Sequence, residues 1–334
     1  MSRAAHTDDE RAVLKEEVPA EMEAVAIDKF GPPSVLKLHT VPVPRPGPYE
    51  VLIALHYAGV GIWDAKTRAG EWADDAHFPL ILGTDGAGVI AEMGDRVDRF
   101  ELGERVWAYE YENPKGGFYA EYAAVAAGNV GRLPQRLSLR EGGAAAVTGL
   151  TALQGIDKHL AVRSGETLLI FGASGAVGTL AVQFAARRRA RVIAVGSGSD
   201  AQVLLEKLGA ETVVDGRKRD AVDRIKDAAP DGLDAILALA GSPVLDACVD
   251  LVVSGGRVAY PNGVEPAPKK RAQVKRIPYD AEASPSAWAS LARAVEAARL
   301  VVPIAETYPL GQAAKAHARL ERGHVIGRIV LEIR

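Results

Sequence analysis

A glycine-rich turn between an apolar strand and an apolar helix is the feature of this sequence that most constrains its fold. Residues 167–171 have the length of a buried strand, and Gly172, Gly175 and Gly178 follow with the spacing G-x-x-G-x-x-G. Apolar residues then recur at helical spacing over residues 177–185. Glycine lets backbone amides approach a pyrophosphate at a helix N-terminus, so this stretch predicts the first unit of a dinucleotide-binding fold.

Strands and helices alternate after this turn, as is typical of a doubly wound parallel sheet. Strands are predicted at residues 167–171, 191–195, 212–214, 233–239 and 257–260. Helices are predicted at 150–161, 176–189, 200–208, 221–228, 244–253, 285–299 and 312–321, and a last strand at 327–333. The fold class is therefore predicted to be α/β, with a doubly wound (Rossmann) domain in the second half of the chain.

The first third of the chain has many short strand-like segments separated by glycine and proline. These segments cover residues 23–27, 35–41, 50–58, 80–93, 105–109 and 118–126. They predict a β-rich domain ahead of the Rossmann domain. Between them, residues 59–70 are predicted to form a loop that carries Trp63, Asp64, Lys66 and Arg68.

Composition excludes several classes of protein. The 334 residues include 40 Lys and Arg against 43 Asp and Glu, a balance that does not favour binding to nucleic acid or to an anionic membrane surface. No apolar run has the length of a membrane-spanning helix. The single cysteine, Cys248, is expected to be buried in a cytoplasmic protein. Residues 1–21 are polar and lack the apolar core of a signal peptide, so we expect a poorly packed extension there.

Six stretches, in this order, resemble motifs of the medium-chain dehydrogenase/reductase superfamily. They are GTDGAGVIAEMGDRV at residues 83–97, GFYAEY at 117–122, AAAVTGLTAL at 144–153, FGASGAVG at 171–178, GGRV at 255–258 and GHVIGRIVL at 323–331. In that superfamily the last strand folds back onto the first domain. The resemblance therefore implies a discontinuous GroES-like catalytic domain of residues 22–145 and 285–334, around a Rossmann domain of residues 146–284.

Two departures indicate the branch of the superfamily. Members with a catalytic zinc have a cysteine after the first core strand and a histidine–glutamate pair after a later glycine. This chain has Gly61 at the first position and Gly83, Thr84 and Asp85 at the second. Three protein ligands are needed for a catalytic zinc, and only Asp85 is of a suitable type. The chain thus resembles the zinc-independent quinone oxidoreductases, which use NAD(P)H to reduce a quinone or an activated carbon–carbon double bond; the resemblance also implies a homodimer.

The cofactor site is expected at the glycine turn and at the carboxyl edge of the sheet. Backbone amides of Ser174, Gly175, Ala176 and Val177 are expected to contact the pyrophosphate, with a purely structural turn as the alternative. Thr148 and Thr151 match threonines that lie beside the nicotinamide in the family, although packing or capping of the alanine-rich helix explains them equally well. The remaining candidates follow later strands: Leu239, Ala240, Gly241, Pro261, Asn262, Gly263 and Arg328.

The second strand of the Rossmann domain indicates which cofactor is preferred. An NAD-specific site usually has a carboxylate at the tip of this strand, about 20 residues after the glycine turn. Here the strand runs into a small loop, in which Ser197 and Ser199 can donate hydrogen bonds to a 2′-phosphate. Arg217, just past the third strand, can supply the cation that the loop lacks. The sequence therefore predicts NADPH.

Four residues are candidates for the substrate end of the site. Relatives usually have asparagine at the position of Gly61 and often tyrosine at that of Lys66, so neither role carries over. The candidates to line the pocket or to donate a proton are Lys66, Trp63, Tyr57 and Arg68, with Lys66 as the first choice of donor. A solvated network of surface charges is the alternative for Asp64, Lys66 and Arg68.

Three aromatic residues admit two interpretations. Trp107, Tyr109 and Phe118 either form an apolar wall for a planar substrate or belong to the β core.

The function predicted for the whole chain is a zinc-independent, NADPH-dependent reductase of quinones or α,β-unsaturated carbonyls. Two alternatives stay open. One is an alcohol-type dehydrogenase with unusual ligands, and the other is an NADPH-binding protein of the crystallin or sensor kind that has lost the reaction.

Overall fold

The structure, a computed structural model, describes residues 17–72 and 77–334. The predicted extension at residues 1–21 lies almost entirely outside them. The strands are β1 (Glu21–Ile27), β2 (Lys37–Pro42), β3 (Glu50–Val60), β4 (Leu80–Ile81), β5 (Asp85–Met93), β6 (Arg105–Tyr109), β7 (Tyr122–Ala126), β8 (Val130–Arg132), β9 (Thr167–Phe171), β10 (Arg191–Gly196), β11 (Thr212–Asp215), β12 (Leu233–Ala238), β13 (Val252–Pro261), β14 (Lys275–Tyr279), β15 (Ile304–Pro309) and β16 (Arg328–Glu332). The helices are α1 (Ile62–Ala69), α2 (Leu139–Gln154), α3 (Ala176–Arg187), α4 (Ser199–Lys207), α5 (Ala221–Ala228), α6 (Pro243–Val249), α7 (Pro285–Ala298) and α8 (Ala313–Glu321), with a π-helical segment at Gly155–His159.

A six-stranded parallel sheet forms one half of the molecule, called the nucleotide-binding half after its predicted role, in the order β11-β10-β9-β12-β13-β14. Its central strand β9 is buried on both faces, because Leu168 and Ile170 join one apolar cluster while Leu169 and Phe171 join another. Burial on both faces explains why β9 is a continuous apolar run rather than an alternating one. The predicted doubly wound fold is confirmed.

The other half of the molecule, called the catalytic half after its predicted role, is built on a mixed sheet. Its order is β15-β16-β3-β5-β6-β8, with β7 also paired to β3, and β2-β1-β4 form a small separate sheet. The last strand, β16, runs antiparallel to β3, where Ile329 lies opposite Val60 and Glu332 opposite Tyr57. Residues near the two ends of the described chain therefore share one sheet, and the predicted β-rich domain is confirmed.

The prediction of a loop over residues 59–70 is wrong. Strand β3 continues to Val60, and α1 follows after Gly61. Asp64 Oδ2 accepts the N–H of Gly61 at 2.7 Å, which caps the first turn, and Gly70 ends the helix with a φ of +90°. The helix has only eight residues and little apolar periodicity, so its capping residues were the one signal available.

Several further segments differ from the prediction, among them β8 and β15, for which no strand was predicted. The helix predicted at residues 150–161 begins at Leu139, because Ser138 and Glu141 form a capping box that starts it eleven residues earlier in the chain. Strand β14 was not predicted, since KRIPY is charged and contains proline; the strand lies at the edge of its sheet, where proline is tolerated. Cys248 is buried, as predicted. Within the described ranges, no helix has the length and apolar character needed to cross a membrane.

Candidate active site

The three glycines of the turn between β9 and α3 have different structural roles. Gly172 has a φ of +84°, which favours glycine. A Cβ atom on Gly178 would lie 2.5 Å from Ala173 Cα, so the close packing of turn and helix requires glycine there. A Cβ atom on Gly175, the N-cap of α3, would meet only Gly172 O at 3.6 Å. The space in front of the helix N-terminus is therefore open, and the first amides of α3 have no carbonyl partner within the helix.

This open space is suited to an anionic group. Ser174, Gly175, Ala176 and Val177 are all partly exposed around it. Unpaired amides and the helix dipole together favour negative charge at such a position. The glycine turn thus has the geometry of a pyrophosphate site.

The loop after β10 is approached by two basic side chains. A Cβ atom on Gly198, which lies between Ser197 and Ser199, would stand 3.7 Å from Arg217 Nη2 and 3.3 Å from His324 Cε1. The structure therefore brings Arg217 to the serine loop, and it adds His324. Sequence reasoning missed His324 because this residue lies on the segment before β16, more than a hundred residues from the loop.

Arg217 is held beside the loop by a carboxylate. Asp215 ends β11 opposite Gly196 of β10. Its Oδ1 atom accepts hydrogen bonds from the backbone N–H and the Nε of Arg217, at 3.0 and 3.3 Å, and these bonds lower the pKa of Asp215. The Arg217 side chain is 61% exposed, so the guanidinium stays accessible to a phosphate.

Thr148 and Thr151 are buried in α2. Each hydroxyl donates to a carbonyl one turn earlier, of Ala144 and Val147 respectively, at 2.8 Å in both cases. The hydroxyl hydrogens are thus used inside the helix, and each oxygen keeps a lone pair that can accept a bond from a ligand. The arrangement agrees with the packing role that the sequence left open.

The loop after β12 packs directly on the glycine turn. The N–H of Leu239 donates to Phe171 O at 2.9 Å, and a Cβ atom on Gly172 would lie 3.3 Å from Leu239 Cβ and 3.5 Å from Ala240 Cβ. Gly241 follows, with its backbone against Pro266. The structure thus places Leu239, Ala240 and Gly241 at the carboxyl edge, beside the turn.

The loop after β13 makes contact with the catalytic half. Asn262 Nδ2 donates to Asp280 Oδ2 at 2.6 Å, just after Pro261 ends the strand. A Cβ atom on Gly263 would lie 2.5 Å from Cη2 of Trp72, so the indole of Trp72 covers this glycine. This loop therefore meets the other half of the molecule at Trp72, and the boundary between the two halves at this contact is called the cleft below.

Trp63 lies on α1, three residues before Lys66, and packs on the residues at the ends of two strands. Its indole ring lies over Gly61, since a Cβ atom there would be 2.2 Å from Trp63 Cε2. The indole Nε1–H donates to Thr84 Oγ1 at 2.6 Å. Gly61 and Thr84 are the two positions at which zinc-dependent members have a cysteine and a histidine. An aromatic ring bridges them in this chain.

A buried ion pair connects Trp63 to the glycine turn. Arg328 Nη2 lies 2.7 Å from Asp85 Oδ1, and the guanidinium stacks 4.9 Å from the centre of the Trp63 ring. Asp85 Oδ2 also accepts the N–H of Val147 at 3.2 Å. The N–H of Gly327, next to Arg328, donates to Ser174 O at 2.9 Å. Arg328 is therefore adjacent to the expected pyrophosphate site, although its side chain faces Asp85.

Asp64 and Arg68 do not form a solvated charge network. They are 1% and 3% exposed, respectively, so that interpretation is wrong for both residues. Helix α1 turns both side chains inward, which a loop would not do. Lys66, in contrast, faces the rim of the cleft.

Lys66 connects the two halves of the molecule. Its Nζ atom lies 3.5 Å from Glu71 and 3.4 Å from Glu265, and it stands 4.6 Å from the ring of Trp72. Glu265 belongs to the loop after β13, in the nucleotide-binding half. Lys66 is therefore at the cleft, paired with two carboxylates.

Tyr57 lies apart from Trp63 and Lys66. Its hydroxyl donates to Glu332 at 2.8 Å, and burial together with this bond raises its pKa to about 12. It precedes Gly61 by four residues of extended strand, a separation of about 13 Å along β3. The structure does not bring Tyr57 to the other two catalytic candidates.

The three aromatic candidates divide between core and cleft. Trp107 and Phe118 are fully buried and belong to the core. Tyr109 is only partly buried; burial raises its pKa, and the charges of Asp280, Asp85 and Asp64 add to the rise. Tyr109 therefore lies between carboxylates of both halves, at the cleft.

No group of three or more His, Cys, Asp or Glu side chains within residues 17–72 and 77–334 is placed to hold a metal ion.

Two family models match this chain. Residues 47–135 match the model "Alcohol dehydrogenase GroES-like domain", and residues 208–331 match the model "Zinc-binding dehydrogenase".

Two named proteins and one solved structure are similar to this chain over most of its length. The chain is 30% identical to a quinone oxidoreductase of Mus musculus over 316 residues, which covers 90% of the chain and 95% of the relative. It is also 30% identical to alcohol dehydrogenase 1 of Emericella nidulans over 353 residues, which covers 95% and 99%. The solved quinone oxidoreductase of Coxiella burnetii superimposes with a TM-score of 0.85 at 28% identity, covering 94% of this chain and 100% of that one. The chain is therefore an oxidoreductase of the medium-chain dehydrogenase/reductase superfamily, and within it belongs to the quinone oxidoreductase-like branch.

Proposed function

We propose that this protein is a zinc-independent, NADPH-dependent reductase that delivers hydride to a quinone or to an α,β-unsaturated carbonyl. The observation that carries the proposal is the position of Trp63, whose indole lies over Gly61 and donates to Thr84. The protein would therefore bind its acceptor against an aromatic ring at the place where zinc-dependent relatives polarise a substrate with the metal.

The side chains at that place do not fit a catalytic zinc. Gly61 offers no donor atom, and the Thr84 hydroxyl is engaged by the indole. Asp85 is the one suitable ligand type, and it is engaged by Arg328 and by the N–H of Val147. Tetrahedral zinc in a catalytic site takes three protein ligands, which these residues do not supply.

The residues of the nucleotide-binding half do fit a dinucleotide. The open N-terminus of α3 would hold the pyrophosphate, and the loops after β12 and β13 would line the nicotinamide side together with Thr148 and Thr151. When bound, the nicotinamide supplies the hydride. The N–H of Gly327 donates to Ser174 O, so the start of β16 would lie beside the pyrophosphate, while the guanidinium of Arg328 stays paired with Asp85.

We favour NADPH over NADH because basic side chains converge on the serine loop. Arg217 and His324 both approach Gly198, and Ser197 and Ser199 flank it. A 2′-phosphate there would accept hydrogen bonds from the serines and charge-assisted ones from the guanidinium. The preference rests on this arrangement of donors.

The acceptor end of the cleft favours a planar, largely apolar molecule. Trp63 and Tyr109 are partly exposed aromatic residues, and Ile62 is 60% exposed at the start of α1. A small quinone or enone is the substrate class that matches these surfaces.

A cytoplasmic homodimer is also part of the proposal. Strand β14 lies at the edge of the parallel sheet, and the same strand of a second copy could pair with it.

One assay separates this proposal from its alternatives. Purified protein is mixed with NADPH or NADH and a panel of benzoquinones, enones and primary alcohols with NADP⁺, while metal content is measured on the same preparation. We expect NADPH oxidation with quinones or enones, little alcohol oxidation, and no stoichiometric zinc. Cofactor binding without oxidation against every acceptor would identify a non-catalytic binder. Stoichiometric zinc, or alcohol oxidation that a chelator abolishes, would overturn zinc independence.

A further inference from the structure

The contact between the two halves at Lys66 combines one cation with two carboxylates. Lys66 Nζ lies 3.4 Å from Glu265 Oε2, across the cleft, and 3.5 Å from Glu71 Oε2, in its own half. The Lys66 side chain is 15% exposed, whereas that of Glu265 is 72% exposed. The two partners of Lys66 therefore lie on opposite sides of the boundary between the halves.

Trp72 adds an apolar contact at the same place. The centre of its ring lies 4.6 Å from Lys66 Nζ, and a Cβ atom on Gly263 would stand 2.5 Å from Trp72 Cη2. Gly263 has a φ of +85°, which favours glycine, and without a side chain it lets the indole lie directly on the backbone of the loop. Gly263 and Glu265 are two residues apart, so the indole and the ion pair hold the same short loop.

Each side of this contact is anchored in its own half. In the catalytic half, the N–H of Glu71 donates to Lys66 O at 3.0 Å, which ties this carboxylate to the end of α1. In the nucleotide-binding half, a Cβ atom on Gly241 would stand 2.6 Å from the carbonyl carbon of Glu265. The loop after β13 thus packs on the loop after β12, which in turn packs on the glycine turn. If the two halves separate here, the contacts that break are those of Lys66 and Trp72 with the loop.

The charges at this contact favour a reversible connection. When Lys66 moves away from Glu265 it keeps Glu71 beside it, so the cation does not lose all of its partners. Glu265 is exposed enough to be solvated by water after separation, and an ion pair with such a partner contributes little and is weakened by salt. A tyrosine, which relatives often have at the position of Lys66, could form neither ion pair. The connection is therefore a property of this chain.

We propose that Lys66, Trp72 and Glu265 form a salt-sensitive latch across the cleft that slows the release of the bound cofactor. This inference rests on the proposed function, in which the loops after β12 and β13 line the nicotinamide side. The latch fastens one of these loops to α1, three residues after Trp63. The cofactor enters and leaves while Lys66 is paired with Glu71 alone, and it is retained while Lys66 is also paired with Glu265.

The test is the rate at which NADPH leaves the protein, measured by stopped-flow fluorescence after addition of excess NADP⁺. Glu265→Gln should raise this rate about threefold to fivefold, as expected for loss of one exposed ion pair. Glu71→Gln is the matched control, because it removes the other carboxylate from the same cation without touching the contact across the cleft, and it should not raise the rate. Trp72→Ala should raise the rate as Glu265→Gln does.

Two further measurements separate the ion pair from a general loosening of the fold. Lys66→Gln combined with Glu265→Gln should release NADPH no faster than Lys66→Gln alone, since both changes break the same pair. In about 0.5 M sodium chloride, which screens exposed charges, the difference between the unmodified protein and Glu265→Gln should disappear. The same difference at low and high salt would overturn the electrostatic latch.

Hydrogen–deuterium exchange gives a readout that needs no cofactor. Backbone amides of residues 262–266 should exchange faster in Glu265→Gln and Trp72→Ala than in Glu71→Gln or the unmodified protein. Equal exchange in all four proteins, or equal release of NADPH from all four, overturns the latch and leaves the proposed function standing. A protein that binds neither NADPH nor NADH overturns the proposed function, and with it the role of the latch in cofactor release.

Discussion

The indole ring of Trp63 lies so close to Gly61 that a Cβ atom on the glycine would stand 2.2 Å from Trp63 Cε2. The same ring donates a 2.6 Å hydrogen bond to Thr84 and stacks on Arg328. One side chain therefore contacts the residue that follows β3, the residue that precedes β5 and the first residue of β16. Glycine is required at position 61 for the packing of this ring, even though its backbone dihedrals are ordinary.

Substitution Gly61→Ala should displace the Trp63 ring and weaken its bond to Thr84. Overpacking of this kind destabilises proteins by about 1–3 kcal/mol, which urea denaturation at pH 7 would measure. Gly128→Ala is the matched control, because a Cβ atom there would meet nothing within 4 Å. Equal stability of the two variants would show that the ring moves aside without cost.

Two glycines of the nucleotide turn should respond differently to the same substitution. Gly175→Ala should fold normally and lose NADPH affinity, because its methyl group would project into the open space before α3. Gly178→Ala should instead lower the unfolding temperature, since its Cβ atom would collide with the backbone of Ala173. Fluorescence titration and thermal denaturation separate the two effects. Normal NADPH binding by Gly175→Ala would contradict the placement of the pyrophosphate at this turn.

Arg217→Ala should weaken NADPH binding roughly tenfold to a hundredfold and leave NADH almost unaffected, since a charge-assisted hydrogen bond contributes about 1.5–3 kcal/mol. Arg219→Ala, an exposed arginine two residues later, is the control. The dissociation constants of NADPH and NADH, measured for the unmodified protein and both variants, would test this expectation. The preference itself is refuted if the unmodified protein has equal specificity constants for NADPH and NADH.

Asp64 and His317 should have opposite effects on stability as the pH changes. The folded pKa of His317 is about 3 against an ordinary 6.5, so between these values the unfolded chain binds more protons and stability falls as pH falls. The folded pKa of Asp64 is about 7 against 3.8, so between these values the folded chain binds more protons and stability falls as pH rises. The two contributions oppose each other between about pH 4 and 6.5.

When one of the two groups is removed, the pH dependence of the free energy of unfolding should therefore reflect the other group. Asp64→Asn should gain stability with rising pH more steeply than the unmodified protein, by up to about 1.4 kcal/mol per pH unit. His317→Gln should change the slope in the opposite direction. Urea denaturation at several pH values from 4.5 to 6.5 would measure both. Parallel curves for all three proteins would contradict the two shifted pKa values.

Lys66→Met tests the proton donor expected from the sequence. Its two ion pairs, with Glu71 and Glu265, place Lys66 as a contact across the cleft. We expect Lys66→Met to raise the KM for the acceptor and to leave the pH dependence of turnover unchanged, with Lys66→Arg restoring KM. A pH dependence abolished by Lys66→Met would identify Lys66 as the donor after all.

The sequence predicted those parts of the molecule whose signals are local. Strand β9, the glycine turn and α3 follow one another within 21 residues, and their apolar periods are unmistakable. Helix α1 was missed because eight residues with buried Asp64 and Arg68 resemble a charged loop. Charge alone does not reveal burial.

The rest of the site depends on contacts between distant residues. Asp85 and Arg328 are separated by 243 positions, and Arg68 and His317 by 249. The sequence offers no periodicity that pairs them. His324 therefore carried no signal as a site residue, although the stretch that contains it contributed to the family resemblance.

The pairing of β16 with β3 has a consequence for how the protein forms on the ribosome. Strand β3 emerges early, whereas its neighbour β16, with Arg328, emerges only after the whole nucleotide-binding half has been synthesised. Until then Asp85 has no guanidinium partner, and the edge of β3 that β16 later covers is open to other chains. All strands of the parallel sheet, β9 to β14, are synthesised before β16, so the pairing of β16 with β3 is a late event in biosynthesis.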